Sequence, residues 1–240
     1  MTGYEREFLL RSKDVDLYRR LRLSRLFELL QEAAITHTEE LGMGREMTLD
    51  RGLLWVVTMQ YAEIARMPVY DERIRLQSWP GETMHVFFPR HYRVEGAEGE
   101  TLLRANALWM LVDRETRRMV FPDRHGIVIP GEKRADELPL PAAPARLTIT
   151  GERSFPVPFS YVDLNGHMNN TRYFDLMEDC IPAAAAGKRL RRIRTEYTGE
   201  ARLGDTLALR WGEQDGSWYM EGALGKPCFR MAMEYEENEA

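Results

Sequence analysis

An acid, an amide and an imidazole stand at alternate positions in one short stretch of the chain, as Asp163, Asn165 and His167. The stretch leads directly into an apolar helical pattern, so these side chains lie just outside a predicted helix N-terminus. Unpaired backbone N–H groups and the positive end of the helix dipole gather there, and both favour an anion or a developing negative charge. We interpret the stretch as both a helix cap and a functional site.

The helix that follows is predicted from a stripe of apolar residues at the spacing of one buried helix face: Tyr173, Leu176, Met177, Cys180 and Ile181. Asn169, Asn170 and Thr171 suit its N-cap, because short polar side chains accept bonds from the first turn. Pro182 is expected to end it.

The rest of the chain has the pattern of one long helix followed by strands, given twice. The first helix is predicted over residues 23–41, with Ser24 as its cap and Gly42 as its stop. Strand-like runs bounded by turn residues are predicted at 4–11, 53–64, 73–79, 85–94, 102–112, 147–157, 190–202, 206–212, 218–224 and 228–235. A proline-rich segment, 130–146, is predicted to link an N-terminal half, 1–129, to a C-terminal half, 147–240.

Length and composition limit the class of protein. The chain has 240 residues, a formal charge of −5 and two cysteines, which form neither a metal-binding spacing nor a disulfide framework. No apolar run is long enough to span a bilayer, and no leader pattern opens the sequence. We therefore expect a soluble, cytoplasmic protein, and its net acidity gives no support to nucleic-acid binding.

The two halves contain an internal repeat. The residues around the first helix match those around the second without a gap: Val15-Asp16-Leu17 with Val162-Asp163-Leu164, Arg25 with Arg172, Phe27 with Phe174 and Leu29 with Leu176. Further on, residues 61–66 match residues 197–202. Two matches in the same order and context indicate a duplication.

Differences between the copies indicate a single working site. Tyr18 stands where the second copy has Asn165, Arg20 where it has His167, and Ile64 where it has Glu200, whereas Asp163 keeps a counterpart in Asp16. A packing role would be expected in both copies. Polar groups present in only one copy predict that function resides in the C-terminal half.

At these residues the chain resembles the acyl-acyl-carrier-protein (acyl-ACP) thioesterases, which release fatty acids and have a double hotdog fold. The resemblance lies in the motif from Asp163 to Asn170 followed by Glu200, and it extends over nearly the whole chain. It implies an α+β fold in which each half wraps an antiparallel sheet around a long helix, with the two sheets continuous. It also implies that Asp163, Asn165, His167 and Glu200 are catalytic. Plant members have a cysteine after the glutamate, but Ala201 stands there and excludes a thiol nucleophile at that position.

These residue types suit thioester hydrolysis. Glu200 is expected to act as a general base on water, or to attack directly and form an anhydride. Asn165 would hold the water or the carboxylate, and His167 would donate to the oxyanion or protonate the leaving thiol. Asp163 would fix the His167 ring or anchor the loop. An oxyanion hole is predicted from backbone N–H groups of the turn, those of Gly166, Met168 and Asn169.

Acyl carrier protein is the expected partner, and the protein is expected to be a monomer or a homodimer. Carrier proteins are acidic, so a basic patch beside the site would steer them. Two arginine clusters are candidates for docking: Arg189, Arg191 and Arg192, and Arg19 and Arg20. The first half is expected to shape the acyl pocket. No metal and no other cofactor is implied, and water is the co-substrate.

Two other functions stay open at this stage. One is a thioesterase acting on acyl-coenzyme A, which matched assays on the two carriers would separate. The other is a non-catalytic acyl-binding hotdog protein, which predicts a bound acyl ligand without turnover. A binding protein has no need of a base, so the set of Asp163, Asn165, His167 and Glu200 favours an enzyme.

Overall fold

The computed structural model describes residues 3–236, so residues 1–2 and 237–240 of the two predicted halves lie outside the description. The stripe of the N-terminal half forms helix α1, Leu23–Glu40, and buries Leu26, Leu29, Leu30 and Ala33 as predicted. The helix stops where Gly42 has a φ of 73°, a left-handed conformation that glycine adopts without steric cost. The N-cap residue is Arg22 rather than Ser24, which is buried in the first turn.

The C-terminal helix is shorter than the expected long helix. Helix α2 covers Arg172–Cys180, half the length of α1, and Pro182 begins a separate short helix, α3, Pro182–Ala185. Proline suits the first helical position, where its missing N–H is not needed. Thr171 is the N-cap residue, but its side chain does not accept an N–H of the first turn, as the prediction required. Asn169 Oδ1 instead accepts the N–H of Thr171 at 2.9 Å, an Asx turn just before α2.

The ten strands found in residues 3–236 all pair antiparallel in one sheet. Their bounds are β1 Tyr4–Leu9, β2 Leu53–Ile64, β3 Arg73–Pro80, β4 Phe87–Glu95, β5 Thr101–Asp113, β6 Gly151–Pro156, β7 Leu190–Tyr197, β8 Thr206–Gln214, β9 Ser217–Leu224 and β10 Lys226–Tyr235.

Equivalent strands lie in the same order in both halves when each half is followed from its outer edge to the middle of the sheet. Across the whole sheet the order is β1-β3-β4-β5-β2 and then β7-β10-β9-β8-β6, so the second half runs in the reverse direction. The two central strands, β2 and β7, are paired from Met59 opposite Glu196 to Glu63 opposite Arg192. The two sheets are therefore continuous, as expected, and are related by a pseudo-twofold axis at this seam.

The two helices contact each other through equivalent residues of the repeat. Phe27 of α1 and Phe174 of α2 stack with ring centroids 4.0 Å apart and planes 12° from parallel. Both rings are almost completely buried. The sequence match of these two phenylalanines thus corresponds to a contact across the pseudo-twofold axis.

The segment between the halves has no regular structure. Residues 126–150, all of them described, contain no helix or strand. The segment packs on the N-terminal half, where Asn106 Nδ2 donates to the carbonyl of Pro139 at 2.7 Å and Leu138 is buried. A linker at 130–146 is compatible with this path, and the exact division of the chain stays a prediction.

Candidate active site

A tight turn presents Asn165 and His167. Val162 and Met168 form a β-bridge, and the N–H of Asp163 donates to the carbonyl of His167 at 2.9 Å. Gly166 has a φ of 78°, which this reversal requires. Asp163 Oδ1 accepts the N–H of Asn165 at 2.8 Å, an Asx turn that fixes the backbone beneath both side chains.

The same turn occurs in the other half, which explains why the acid survives in both copies. Asp16 Oδ1 accepts the N–H groups of Tyr18 and Arg20 at 2.8 and 2.9 Å. Its Oδ2 pairs with the Arg20 guanidinium at 3.1 Å. Of the two roles expected for Asp163, these contacts match loop anchoring.

Glu200 reaches the turn because β7 ends early. The strand stops at Tyr197, and the N–H groups of Thr198 and Gly199 both donate to the carbonyl of Cys228. The following residues then pair with the turn, through the N–H of Met168 donating to the carbonyl of Ala201 at 2.7 Å and a bridge between His167 and Arg202. As a result, His167 Nε2 lies 3.2 Å from Glu200 Oε2.

A third charged group comes from the N-terminal half. Arg117 lies in the turn after β5 with a φ of 56°, and its Nη2 contacts the other oxygen of Glu200, Oε1. The Arg117 side chain is 30% exposed and that of Glu200 is 35% exposed. The sequence patterns did not indicate Arg117 as a site residue. Its only signal was a run of arginines in a turn, and the direction of the side chain depends on how the halves meet.

His167 is held near its neutral form. Burial lowers its pKa below the ordinary value, and the positive charges of Arg117 and Arg202 lower it further, while Asp163 acts in the opposite direction. A neutral imidazole keeps one N–H, which Nε2 can direct to the Glu200 carboxylate. The cluster therefore combines a carboxylate that can accept a proton with an imidazole that can donate one.

The backbone N–H groups expected to form the oxyanion hole already have acceptors. Gly166 donates to the carbonyl of Asp163, Met168 to that of Ala201 and Asn169 to that of Tyr161. An oxyanion would have to displace a bond that the turn uses. Within residues 3–236, the N–H of Asn170 and the side-chain amide of Asn165 have no hydrogen-bond acceptor or donor, and both residues line the site.

Two cavities meet at this cluster. A cavity of about 360 Å³, here called the cluster cavity, is lined by His167, Glu200 and Arg117. An apolar cavity of about 250 Å³ lies between α1 and the N-terminal sheet, with Phe88, Trp109 and Ile129 in its wall. Leu54, Trp55 and Asn165 line both cavities. The two cavities therefore adjoin at these three residues.

The two arginine clusters predicted for docking lie away from this cavity. Arg189, Arg191 and Arg192 are at the start of β7, about 20–25 Å of strand from Glu200. They are also paired with acids, Arg191 with Glu236 at 3.1 Å and Arg192 with Glu234 at 3.0 Å. Arg20 donates to the carbonyls of Gly187 and Lys188, close to the same end.

Neither cysteine is prepared for nucleophilic attack. Cys180 is half-buried on α2, and Cys228 is buried on β10. Burial raises the pKa of both thiols, which disfavours the reactive thiolate. Ala201, at the position of the plant cysteine, is itself buried.

Comparison with known protein families identifies the class of protein to which this chain belongs. Residues 2–122 match the acyl-ACP thioesterase N-terminal domain and residues 146–222 match the C-terminal domain. These matches cover most of the chain, which therefore belongs to the acyl-ACP thioesterase family. Within residues 3–236, the helices are all too short or too polar to cross a membrane.

Plant proteins are among its relatives. A chloroplastic acyl-acyl-carrier-protein hydrolase of Cuphea viscosissima is 26% identical over 227 residues, covering 85% of this chain and 53% of that protein. The chloroplastic oleoyl-acyl carrier protein thioesterase 2 of Arabidopsis thaliana is 23% identical over 228 residues, covering 85% and 61%. The chain thus spans little more than half the length of these relatives.

Solved structures share the fold over nearly the whole chain. An acyl-ACP thioesterase from Bacteroides thetaiotaomicron superposes with a TM-score of 0.86 at 23% identity, covering 98% of each chain. The 12:0-ACP thioesterase from Umbellularia californica gives 0.83 at 21% identity, again covering 98% of each chain. The fold is the double hotdog that the resemblance implied.

Proposed function

We propose that this protein hydrolyses fatty acyl thioesters on acyl carrier protein, releasing the free fatty acid and ending chain elongation. The observation that supports this most directly is the His167–Glu200 pair, 3.2 Å apart, in the cluster cavity that adjoins the apolar cavity. A thioesterase needs a base beside the carbonyl and an apolar space for the chain beyond it, and the two are adjacent here.

In the proposed reaction, Glu200 is the general base. It takes a proton from a water molecule as the water oxygen bonds to the thioester carbonyl carbon. The tetrahedral intermediate then breaks its carbon–sulfur bond, and the proton passes through His167 to the departing thiolate. The products are a carboxylic acid and a thiol. We favour a base over a direct nucleophile because both Glu200 oxygens are held, one by Arg117 and one by His167.

The remaining groups have supporting roles in this scheme. Asp163 anchors the turn through the N–H of Asn165, and Arg117 is a positioning residue that orients Glu200. The negative charge on the carbonyl oxygen would be stabilised by the Asn170 N–H and the Asn165 amide, since these donors are not already used. Each such donor typically contributes about 10²–10³ in rate.

The test is replacement of Glu200 by Gln, which keeps the shape and removes the base. Hydrolysis of acyl-ACP should fall by about 10²–10⁴-fold, the usual worth of a general base. Glu152, an acid whose side chain is 77% exposed on β6, provides the matched control as Glu152→Gln. Circular dichroism and the melting temperature verify folding, and full activity of the Glu200→Gln variant would remove the assignment.

Selectivity between carriers and the docking surface are further parts of the proposal. Side-by-side assays of one acyl group on carrier protein and on coenzyme A decide between the two substrates. Docking at Arg189, Arg191 and Arg192 or at Arg19 and Arg20 stays a prediction, and Arg114 and Arg202, which line a cavity next to His167, form a competing surface. A cytoplasmic location and a monomeric or homodimeric state also stay expectations, for fractionation and light scattering to test.

A further inference from the structure

The apolar cavity has a buried guanidinium in its wall. Arg90 lies on β4, on the same face of the strand as the core residues Phe88 and Tyr92. It is only 4% exposed, yet it lines the cavity together with Phe88 and Trp109. A hydrocarbon chain that fills this space would lie against a charged group.

Arg90 has polar partners but lacks a counter-ion. Its Nε donates to Ser78 Oγ at 2.7 Å, and its Nη2 lies 2.6 Å from His37 Nδ1 on α1. No carboxylate within residues 3–236 forms an ion pair with it, and its Nη1 has no hydrogen-bond acceptor among those residues. The charge of Glu40 acts on Arg90 only from a longer distance.

His37 does not supply the missing charge. Burial, and then the positive charge of Arg90, lower the pKa of His37 to about 4. It is therefore neutral at pH 7 and accepts through Nδ1. Burial also lowers the pKa of Arg90, to about 10, so the guanidinium remains charged. A buried cation without an anion is unfavourable unless further acceptors reach it.

The position of Arg90 indicates which part of a bound acyl chain it would contact. Trp55, which lies with Asn165 at the junction of the cavities, is on β2, and Arg90 is two strands away across β5. Adjacent strands are about 4.8 Å apart, and Arg90 is also offset along the strands, since it pairs with Ala107 whereas Trp55 pairs with Leu111. The backbone of Arg90 therefore lies on the order of 15 Å from that of Trp55. Arg90 faces the far part of a medium-length chain and not the thioester.

We propose that Arg90 forms a subsite for an oxygen acceptor near the far end of the acyl chain, so that oxygenated acyl thioesters are preferred over plain ones of the same length. This rests on the proposed function, in which the apolar cavity holds the acyl chain. A hydroxyl or carboxylate oxygen at that depth would accept from Nη1, and a carboxylate would also supply the missing negative charge. A role confined to joining β4 to α1 through His37 would give no such preference.

The experiment compares acyl-ACP substrates in matched sets, from hexanoyl to dodecanoyl, each with a terminal methyl, hydroxyl or carboxylate. At one length or more, wild-type kcat/KM should be about ten- to a hundredfold higher for an oxygenated chain, as expected for a hydrogen bond to a charged donor. Arg90→Met should abolish or reverse that ratio. Arg93→Met, on the opposite face of β4 and paired with Asp136, should leave it unchanged.

Two outcomes separate this proposal from the proposed function. If plain chains are hydrolysed as well as or better than oxygenated chains at every length by the wild type, the subsite is refuted while the thioesterase stands. If no thioester is hydrolysed, calorimetry with the free acids still decides, since the wild type should bind the ω-hydroxy or dicarboxylic acid more tightly than the plain acid. The wild-type comparison is decisive even if Arg90→Met fails to fold.

Discussion

The contact between Arg117 and Glu200 makes the protonation state of His167 depend on a residue of the other half. Replacing Arg117 by Met removes the guanidinium and keeps a similar side-chain length. With one carboxylate between them, guanidinium and imidazole are about 6 Å apart, which gives about 3 kcal/mol at an effective dielectric of about 20. Arg117 is 30% exposed, so solvent screening reduces this, and we expect about half to remain. That corresponds to a change of about tenfold in the protonation equilibrium of the imidazole.

The sign of the effect follows from the charges. Arg117 disfavours the imidazolium and is part of why the pKa of His167 is lowered. Without Arg117, His167 becomes protonated at a higher pH and then pairs with the Glu200 carboxylate, which weakens the base. The acid limb of kcat/KM should therefore move to higher pH. At the optimum pH, kcat should fall by about ten- to a hundredfold, because Glu200 loses the contact that orients it.

Two measurements check this prediction. The pH dependence of kcat/KM gives the position of the acid limb, and NMR titration of the His167 ring proton reports protonation without turnover. Asp163→Asn is the control of opposite sign, since Asp163 raises the pKa of His167 and Asn keeps an acceptor for the turn. The coupling between Arg117 and the pKa of His167 would be refuted if the acid limb of kcat/KM did not move in Arg117→Met. It would also be refuted if the acid limb moved in the same direction in both variants.

Two further predictions concern stability and docking. Burial raises the pKa of Glu178 to about 8, and the negative charge of Asp175 is the second-largest cause. The folded state therefore holds this proton more tightly than the unfolded state. As a result, the free energy of unfolding should fall by a few kcal/mol from about pH 5 to pH 8. Glu178→Gln should flatten that dependence in urea unfolding, and a wild-type stability that does not fall over this range would contradict the expectation. For docking, the paired reversal Arg191→Glu and Arg192→Glu should raise KM for acyl-ACP but not for a small thioester. Equal effects on both substrates, or a selective effect only from a reversal in the Arg114 turn, would count against docking at the start of β7.

Local patterns predicted most of the fold. The apolar stripes located α1 and α2 to within two residues, and β2 has the bounds that its alternation indicated. The largest errors lie at strand ends. Residues 147–150 have strand-like composition, but the pairing of β6 with β8 ends at Gly151 opposite Trp211, although β8 itself continues to Gln214. Strand-like composition therefore does not show how far the ladder between two strands extends.

The site residues that depend on local turns and on the repeat were predicted from the sequence. Those that depend on the direction of a side chain or on the position along a strand were predicted less well. The comparison of copies gave Asn165, His167 and Glu200, which the structure brings together. Arg117 was missed because its role arises from contact between the two halves. The location of Arg189–Arg192 could have been foreseen, because residues at the start of a strand cannot lie beside a glutamate beyond its end. Only the structure shows that the N–H groups of the turn already donate to backbone carbonyls.

The duplicated turn keeps the same backbone in both halves but holds different side chains in each. In both halves an aspartate fixes the backbone, through Asp16 and Asp163. In the first half, Arg20 closes on Asp16 and on carbonyls of the other half, and Ile64, at the position of Glu200, is buried in the core. The Arg20–Asp16 ion pair thus closes that end of the seam. At the other end, the equivalent positions hold His167 and Glu200, and Glu200 pairs with Arg117 of the N-terminal half beside an open cavity.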